Sequence, residues 1–114
     1  MIKINQLNLD AEMVIGDTGT FSFTPKIDGK AFLDTGDTVY FTMRKLLDKS
    51  IVMQKIITEF EDGKCTITIN PNDTTVLDPD NYIYDLKLVR ADGTVDTLIP
   101  NNPYANFSLK KGVK

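Results

Sequence analysis

Hydrophobic and polar residues alternate along most of this chain. Val39, Phe41 and Met43 share one side of an extended segment, and the same period of two recurs in CTITIN from residue 65 and in YIYDLKLV from residue 82. Such alternation is typical of strands that bury one face and expose the other. The pattern predicts strands over about residues 2–9, 19–27, 30–33, 38–46, 50–60, 64–70, 81–90, 94–99 and 105–110.

Turn signals separate these segments, and one of them predicts a helix. Asp-Gly pairs favour tight hairpins, because glycine takes positive φ at little cost and aspartate tolerates it. Such pairs stand between apolar runs at 28–29, 62–63 and 92–93. Elsewhere Asn70 is a good helix cap, Pro71 suits a first helical position and Pro79 ends the segment. We therefore expect one short helical turn near 71–77.

Seven to nine short strands with almost no helix indicate an all-β fold, an antiparallel immunoglobulin-like β-sandwich, with a small closed barrel as the alternative. Tyr82 favours the sandwich, because a tyrosine at the start of a late strand commonly ties the preceding corner through its hydroxyl. Tyr84 would then stand where disulfide-bonded domains have their second cysteine, so packing must replace that bridge. We expect a single domain over 1–110 and an exposed C-terminal tail over 111–114.

Composition narrows the possible functions. The chain has 114 residues, of which 41% are hydrophobic, and a net charge of −3, which fits one globular domain. We expect no nucleic-acid binding, since there is no basic stripe, and no membrane span or signal peptide. The absence of histidine excludes Ser-His-Asp and Cys-His nucleophiles and imidazole metal sites. The single cysteine, Cys65, alternates with Ile67 and Ile69, which indicates a buried structural thiol.

The triplet Asp34-Thr35-Gly36 follows a hydrophobic pair and resembles the active-site segment of aspartic proteases. In the retroviral type of that enzyme, two subunits each supply one carboxylate and the pair shares a proton. The chain departs from that pattern, because Asp37 stands where a small residue is required and the flap glycines are missing. A turn explains the segment better, since glycine takes positive φ and Asp34 can bond the backbone two residues on. We expect no enzyme, with a protease using Asp34 as a remote alternative.

Other side chains are candidates for binding. Calcium would need six to eight converging oxygens, which the carboxylates at Asp73, Asp78 and Asp80, or the pair Asp34 and Asp37, do not supply, so we expect no metal and no cofactor. Exposed tyrosines would instead suit a carbohydrate- or surface-binding module, or they pack against strand neighbours. The candidates are Tyr40, Tyr82 and Tyr104. The lysines at 45, 49 and 55 are interpreted as a charged strand face that discourages aggregation, and not as a ligand site.

Several segments, taken in order, resemble a known family. They are KINQLNL, GDTGTFSFTP, DGKAFLDTGDTVYFTMRK, DGKCTITINPNDTTVLDPDNYIYDLKLVRADGTVDTLIP and NFSL. In this order they are similar to the immunoglobulin-like β-sandwich module of tailed bacteriophages and prophages, in particular the N-terminal domain of phage baseplate upper proteins. Asn81 is a departure, because a glycine is often seen there, but asparagine also tolerates positive φ.

The resemblance implies a mechanical function. A member of this family is a non-enzymatic virion structural protein of the tail or baseplate, assembled in the bacterial cytoplasm. Its partners are other phage structural proteins and copies of itself, and the family has no catalytic, cofactor or metal residues to transfer. A glycan remains an alternative partner. The irregular loop Pro100-Asn101-Asn102-Pro103 is a candidate contact surface, since functional residues favour loops on rigid scaffolds.

Overall fold

The structure is a computed structural model that describes residues 3–4, 10–27, 29–31, 33, 35–99 and 105–111. These residues form eleven strands and one short helix. In chain order they are β1 (Lys3–Ile4), β2 (Ala11–Val14), β3 (Gly19–Phe23), β4 (Lys26–Ile27), β5 (Lys30–Ala31), β6 (Thr38–Lys45), β7 (Ile51–Ile57), β8 (Cys65–Ile69), α1 (Pro71–Thr74), β9 (Asp80–Val89), β10 (Val95–Ile99) and β11 (Ala105–Lys110). Three strands have only two residues, and the other eight fall within the expected number.

The strands form a sandwich of the immunoglobulin-like kind. The larger sheet has the order β1-β2-β11-β9-β6-β7, with β10 also paired to β9, and β3 and β8 form the opposite layer. In immunoglobulin-like domains the last two strands likewise lie beside the third, opposite a pair formed by the second and fifth. The expected fold class is thus confirmed. One pairing departs from the antiparallel expectation, because β2 and β11 run parallel.

The core lies between the two layers, and the alternation assigns its residues correctly. Phe41, Tyr84 and Phe107 are almost fully buried, and their ring centroids lie 5.6 to 6.2 Å apart. All three rings lie on the inner face of the larger sheet, on the neighbouring strands β6, β9 and β11. Cys65 is fully buried, as expected, and burial raises the pKa of its thiol to about 11.

Tyr82 makes the corner contact that the sequence predicts. Its side chain is 4% exposed, and its hydroxyl donates a 2.7 Å hydrogen bond to the carbonyl oxygen of Asp78. The expected helical turn is also present, although α1 ends at Thr74 and a turn follows. The hydroxyl of Thr74 is fully buried and accepts a 3.0 Å hydrogen bond from the Gly16 amide. These contacts fix the connection between β8 and β9.

The element bounds differ from the expected ones mainly near the N-terminus. Most of the strand expected over 2–9 lies outside the described residues. Strand β2, over 11–14, was not predicted, although Ala11 and Met13 alternate with polar or less buried neighbours. The strand expected over 19–27 is two strands, because Pro25 between them has no amide to donate.

Candidate interaction surface

The structure gives the described part of the Asp34-Thr35-Gly36 segment a role in packing. Asp34 itself lies outside the described residues. Thr35 and Gly36 form a turn in which Gly36 has a φ of +97°, and a Cβ atom at Gly36 would lie 3.0 Å from the Cβ of Ala91. Asp37 is buried, and its Oδ1 accepts a 3.1 Å hydrogen bond from the Ala91 amide. The turn is therefore fitted closely to the β9–β10 hairpin.

Asp73 and Asp80, two of the carboxylates considered as calcium ligands, accept hydrogen bonds from other groups of the protein. Asp73 Oδ2 accepts hydrogen bonds from the Lys55 ammonium at 2.6 Å and from the Asn70 amide at 2.7 Å. Partial burial alone would raise the pKa of Asp73, but these two hydrogen bonds outweigh it and lower that pKa. Asp80 accepts from the Asn81 amide at 2.8 Å. Across the described residues no group of three or more potential ligands could hold a metal ion.

Of the three candidate tyrosines, one is committed to the fold. Tyr82 is buried with its hydroxyl donated to Asp78, so it offers no exposed ring to a sugar. Tyr104 lies outside the described residues. Tyr40 is half-buried, and it lies on the outer face of the larger sheet because its neighbours in β6 face the core. The loop over 100–103 also lies outside the described residues.

Exposed apolar side chains concentrate in the hairpin formed by β6 and β7. Six large hydrophobic residues are exposed in the described part of the chain, and four belong to this hairpin. Those four are Leu46, Leu47, Ile51 and Ile56, which we call the apolar hairpin surface, and Leu47 is 96% exposed. Ile51 lies opposite Arg44 and Ile56 opposite Tyr40. Residues opposed across a pair share a face, so both isoleucines lie on the outer face of the larger sheet.

The turn that carries the two leucines is held by hydrogen bonds. Asp48 Oδ1 accepts from the Ser50 amide at 3.0 Å and from the Ser50 hydroxyl at 2.7 Å, and these bonds lower the pKa of Asp48. The Lys49 ammonium donates to the Leu46 carbonyl at 2.8 Å. The Arg44 guanidinium donates to the Lys49 carbonyl at 3.1 Å. The leucines are therefore presented on an ordered turn, which reduces the entropy lost when a partner binds.

Strand β7 also forms one end of the larger sheet. It pairs with β6 on one side, and no strand among the described residues pairs with its other side. A lysine on an edge strand commonly discourages pairing with another chain. The only charged residue of β7 is Lys55, and its ammonium lies 2.6 Å from Asp73 with the side chain 24% exposed. Lys55 is therefore paired with Asp73 and does not form part of an exposed charged face, whereas Lys45 and Lys49 are exposed.

Two buried polar residues lie on the same outer face. Asp85 of β9 and Thr42 of β6 are directly opposite each other, and each is 4% exposed. Burial raises the pKa of Asp85, while the positive charges of Lys87 and Arg44 act in the opposite direction. The alternation placed Asp85 on a solvated face, so its burial was missed. Leu46 and Leu47 were missed too, although two adjacent leucines at the end of the predicted strand 38–46 are a visible signal.

Comparisons of this chain with known proteins find no match. No helix in the described parts of the chain is long and apolar enough to cross a membrane. No protein-family model matches the sequence, and no curated protein or solved structure matches the chain.

Proposed function

We propose that this chain is a non-enzymatic structural protein of a bacteriophage or prophage virion, a component of the tail or baseplate. It is assembled in the bacterial cytoplasm and works through contacts with neighbouring virion proteins. The order of turns and strands that resembles phage sandwich modules motivates the phage assignment. Because a shared fold is a weak argument for function, the proposal also needs support from the surface of the molecule.

The observation that carries the proposal is the apolar hairpin surface. Four large apolar side chains are exposed on one hairpin, and the strand that carries two of them is open at its edge within the described residues. Scattered exposed hydrophobic residues are normal on soluble proteins, but a concentration on an ordered turn and an edge strand is typical of a contact with another protein. The Leu47 side chain is the strongest anchor of this surface, since 96% of it is exposed.

Mass spectrometry of purified particles tests the assignment. Tailed particles from the phage or lysogen that encodes this chain should contain it in a fixed ratio to the other tail proteins, while a host cytoplasmic protein of similar size is removed by purification. Absence of the chain from intact, nuclease-treated particles would refute the proposal.

A pair of substitutions tests the surface. Leu47→Ser should reduce incorporation of the chain into particles by about tenfold or more, because a buried anchor residue contributes about 2 kcal/mol or more to binding. Val76→Ser is the matched control, since Val76 is 82% exposed and lies outside the hairpin. Equal incorporation of both variants would show that the hairpin makes no such contact.

A further inference from the structure

Positively charged side chains border the apolar hairpin surface. Lys45 and Lys49 stand on either side of the two leucines in the sequence, and both lysines are exposed. Arg44 lies directly opposite Ile51 across the pair of β6 with β7. Opposed residues share a face of the sheet and have Cβ atoms about 4.5–5.5 Å apart, so Arg44 is a close neighbour of this isoleucine.

The border continues on β9. Lys87 is exposed and lies opposite Tyr40 of β6, and Tyr40 lies opposite Ile56 of β7. Neighbouring strands are about 4.8 Å apart, so Lys87 lies about 10 Å from Ile56 on the outer face of the larger sheet. Each part of the apolar hairpin surface therefore has a cation beside it.

Two carboxylates lie among these four cations, and they do not balance them. Asp48 is on the turn and accepts both hydrogen bonds from Ser50. Asp85 is 4% exposed, so its charge is largely withdrawn from the surface. With both carboxylates ionised, the six side chains have a net charge of +2, whereas the whole chain has a net charge of −3. The hairpin is therefore a positive region on an acidic protein.

We infer that the partner at the apolar hairpin surface is a protein with an apolar pocket for Leu47 and a rim of aspartate and glutamate side chains. The inference deepens the proposed function and rests on it in taking the hairpin as the contact with a neighbouring virion protein. Opposite charges around an apolar centre speed the encounter of two proteins and reject partners that have the wrong charge.

The same charges disfavour a second copy of the chain at this surface. A two-fold contact uses the same surface on both copies, so it would bring the two sets of cations together. Like charges that face each other across an interface are unfavourable. The occupant must therefore have a surface of the opposite sign.

An anionic bilayer has that sign, but the hairpin suits it poorly. Asp48 is exposed beside Leu47 and would face the phosphate groups. The turn over 45–50 has no tryptophan or tyrosine of the kind that anchors proteins at a membrane interface. Ile51 and Ile56 lie on the face of the sheet, about 16 Å apart along β7, so the occupant has to follow the sheet as well as hold the turn. A shaped protein surface meets this requirement.

Photo-cross-linking identifies the occupant. Benzoylphenylalanine in place of Leu47 is irradiated in cells of the phage host or lysogen that encodes the chain, and the same residue in place of Val76 is the matched control, because Val76 is 82% exposed outside the hairpin. We expect one protein to be cross-linked from position 47 and not from position 76, at a segment that contains apolar and acidic residues. No cross-linked protein, or a cross-linked segment without acidic residues, would overturn the inference.

Charge reversal then tests the rim with the purified cross-linked protein as the probe. Lys45→Glu with Lys49→Glu should weaken its binding about tenfold or more at 0.1 M salt, and most of this loss should vanish at 1 M salt, where charges are screened beyond about 3 Å. Lys64→Glu with Lys111→Glu is the matched control, since both lysines are exposed outside the hairpin and the net charge changes equally. Circular dichroism verifies that both double variants fold.

A compensating change completes the charge test. Replacing the acidic residues of the cross-linked segment by lysine should restore binding to the Lys45→Glu, Lys49→Glu variant. Equal weakening by the two double variants, or no weakening by either, would show that the charges beside the leucines do not select the partner.

The other two occupants have their own measurements. Co-sedimentation of the chain with phosphatidylglycerol vesicles that is lost in Leu47→Ser would assign the surface to lipid and overturn the inference. Light scattering coupled to size exclusion gives the mass of the chain in solution. A dimer of 25.6 kDa, twice the 12.8 kDa of one chain, that dissociates in Leu47→Ser would assign the surface to a second copy and overturn the inference as well.

The outcomes separate this inference from the proposed function. If the chain is present in virions and its partner is indifferent to the charge reversal, the acidic rim is refuted and the proposed function stands. If the charge reversal and its compensation behave as expected but the chain is absent from virions, the acidic partner is retained and the virion assignment is removed.

Discussion

The hydroxyl of Tyr82 should contribute measurably to stability, and Tyr82→Phe removes it while keeping the ring. The hydroxyl donates at 2.7 Å to the Asp78 carbonyl, and the tyrosine is 4% exposed. A hydrogen bond of this kind contributes about 0.5–1.5 kcal/mol net, and a carbonyl left without a partner in a buried site adds about 1–3 kcal/mol. Because Asp78 itself is exposed, water can partly replace the hydroxyl. We therefore expect a loss of about 1–2 kcal/mol.

Urea denaturation followed by circular dichroism measures this loss. For a domain of this length, 1 kcal/mol corresponds to about 4 °C in Tm, so Tyr82→Phe should melt about 4–8 °C below the wild type. Tyr40→Phe is the control, since Tyr40 is half-buried on the outer face, and it should change the free energy of unfolding by less than about 0.5 kcal/mol. A Tyr82→Phe variant within about 0.3 kcal/mol of the wild type would refute the assignment of the corner contact.

The same contact has a pH signature. Burial raises the pKa of Tyr82, the negative charges of Asp80 and Asp78 raise it further, and the hydrogen bond to Asp78 only partly offsets them. A phenol whose pKa is raised on folding stabilises the protein below its unfolded value, near 10, and loses that contribution as the pH rises through the folded value. The stability difference between wild type and Tyr82→Phe should therefore shrink above about pH 10. Burial raises the pKa of Tyr84 to about 12, but Tyr84 is present in both proteins and cancels.

Three further changes follow from the site geometry. Gly36→Ala should lower the free energy of unfolding, measured by urea denaturation, by about 1 kcal/mol more than Gly93→Ala. Both glycines have positive φ, but of the two only Gly36 has a neighbouring side chain within contact distance of an added Cβ. Equal losses would show that this neighbour, Ala91, moves aside. The pKa of Asp73 is lowered on folding, so its carboxylate stabilises the protein above the unfolded pKa, and this stabilisation is lost as the pH falls below about 4. Asp73→Asn should lack this loss when melting temperatures are measured at decreasing pH. Parallel plots of Tm against pH for the two proteins would contradict the prediction. Cys65 should react with a thiol reagent at pH 8 only after unfolding, since it is fully buried and its pKa is about 11, so rapid labelling of the native protein would exclude burial.

The sequence predicts the parts of this fold that depend on local pattern. The alternation in β6, β8 and β9 assigns core positions correctly. The role of Tyr82 at the corner is also predictable, because its hydrogen-bond partner, Asp78, lies only four residues before it in the sequence. The parallel pair of β2 with β11 joins the two ends of the chain, and no turn residue between them marks the register. Long-range pairing of this kind depends on which surfaces remain after the hairpins form, which a local pattern does not contain.

The candidate surface was harder to predict for a similar reason. Leu46 and Leu47 stand out as apolar residues between two strands, but whether β7 lies at an edge depends on the strand order of the whole sheet. Lys55 lies on the same face of β7 as the buried Met53, and its ammonium pairs with an aspartate 18 positions along the chain. Asp85 likewise alternates with core residues and is buried by neighbours on the outer face. In each case the environment of the side chain comes from tertiary packing.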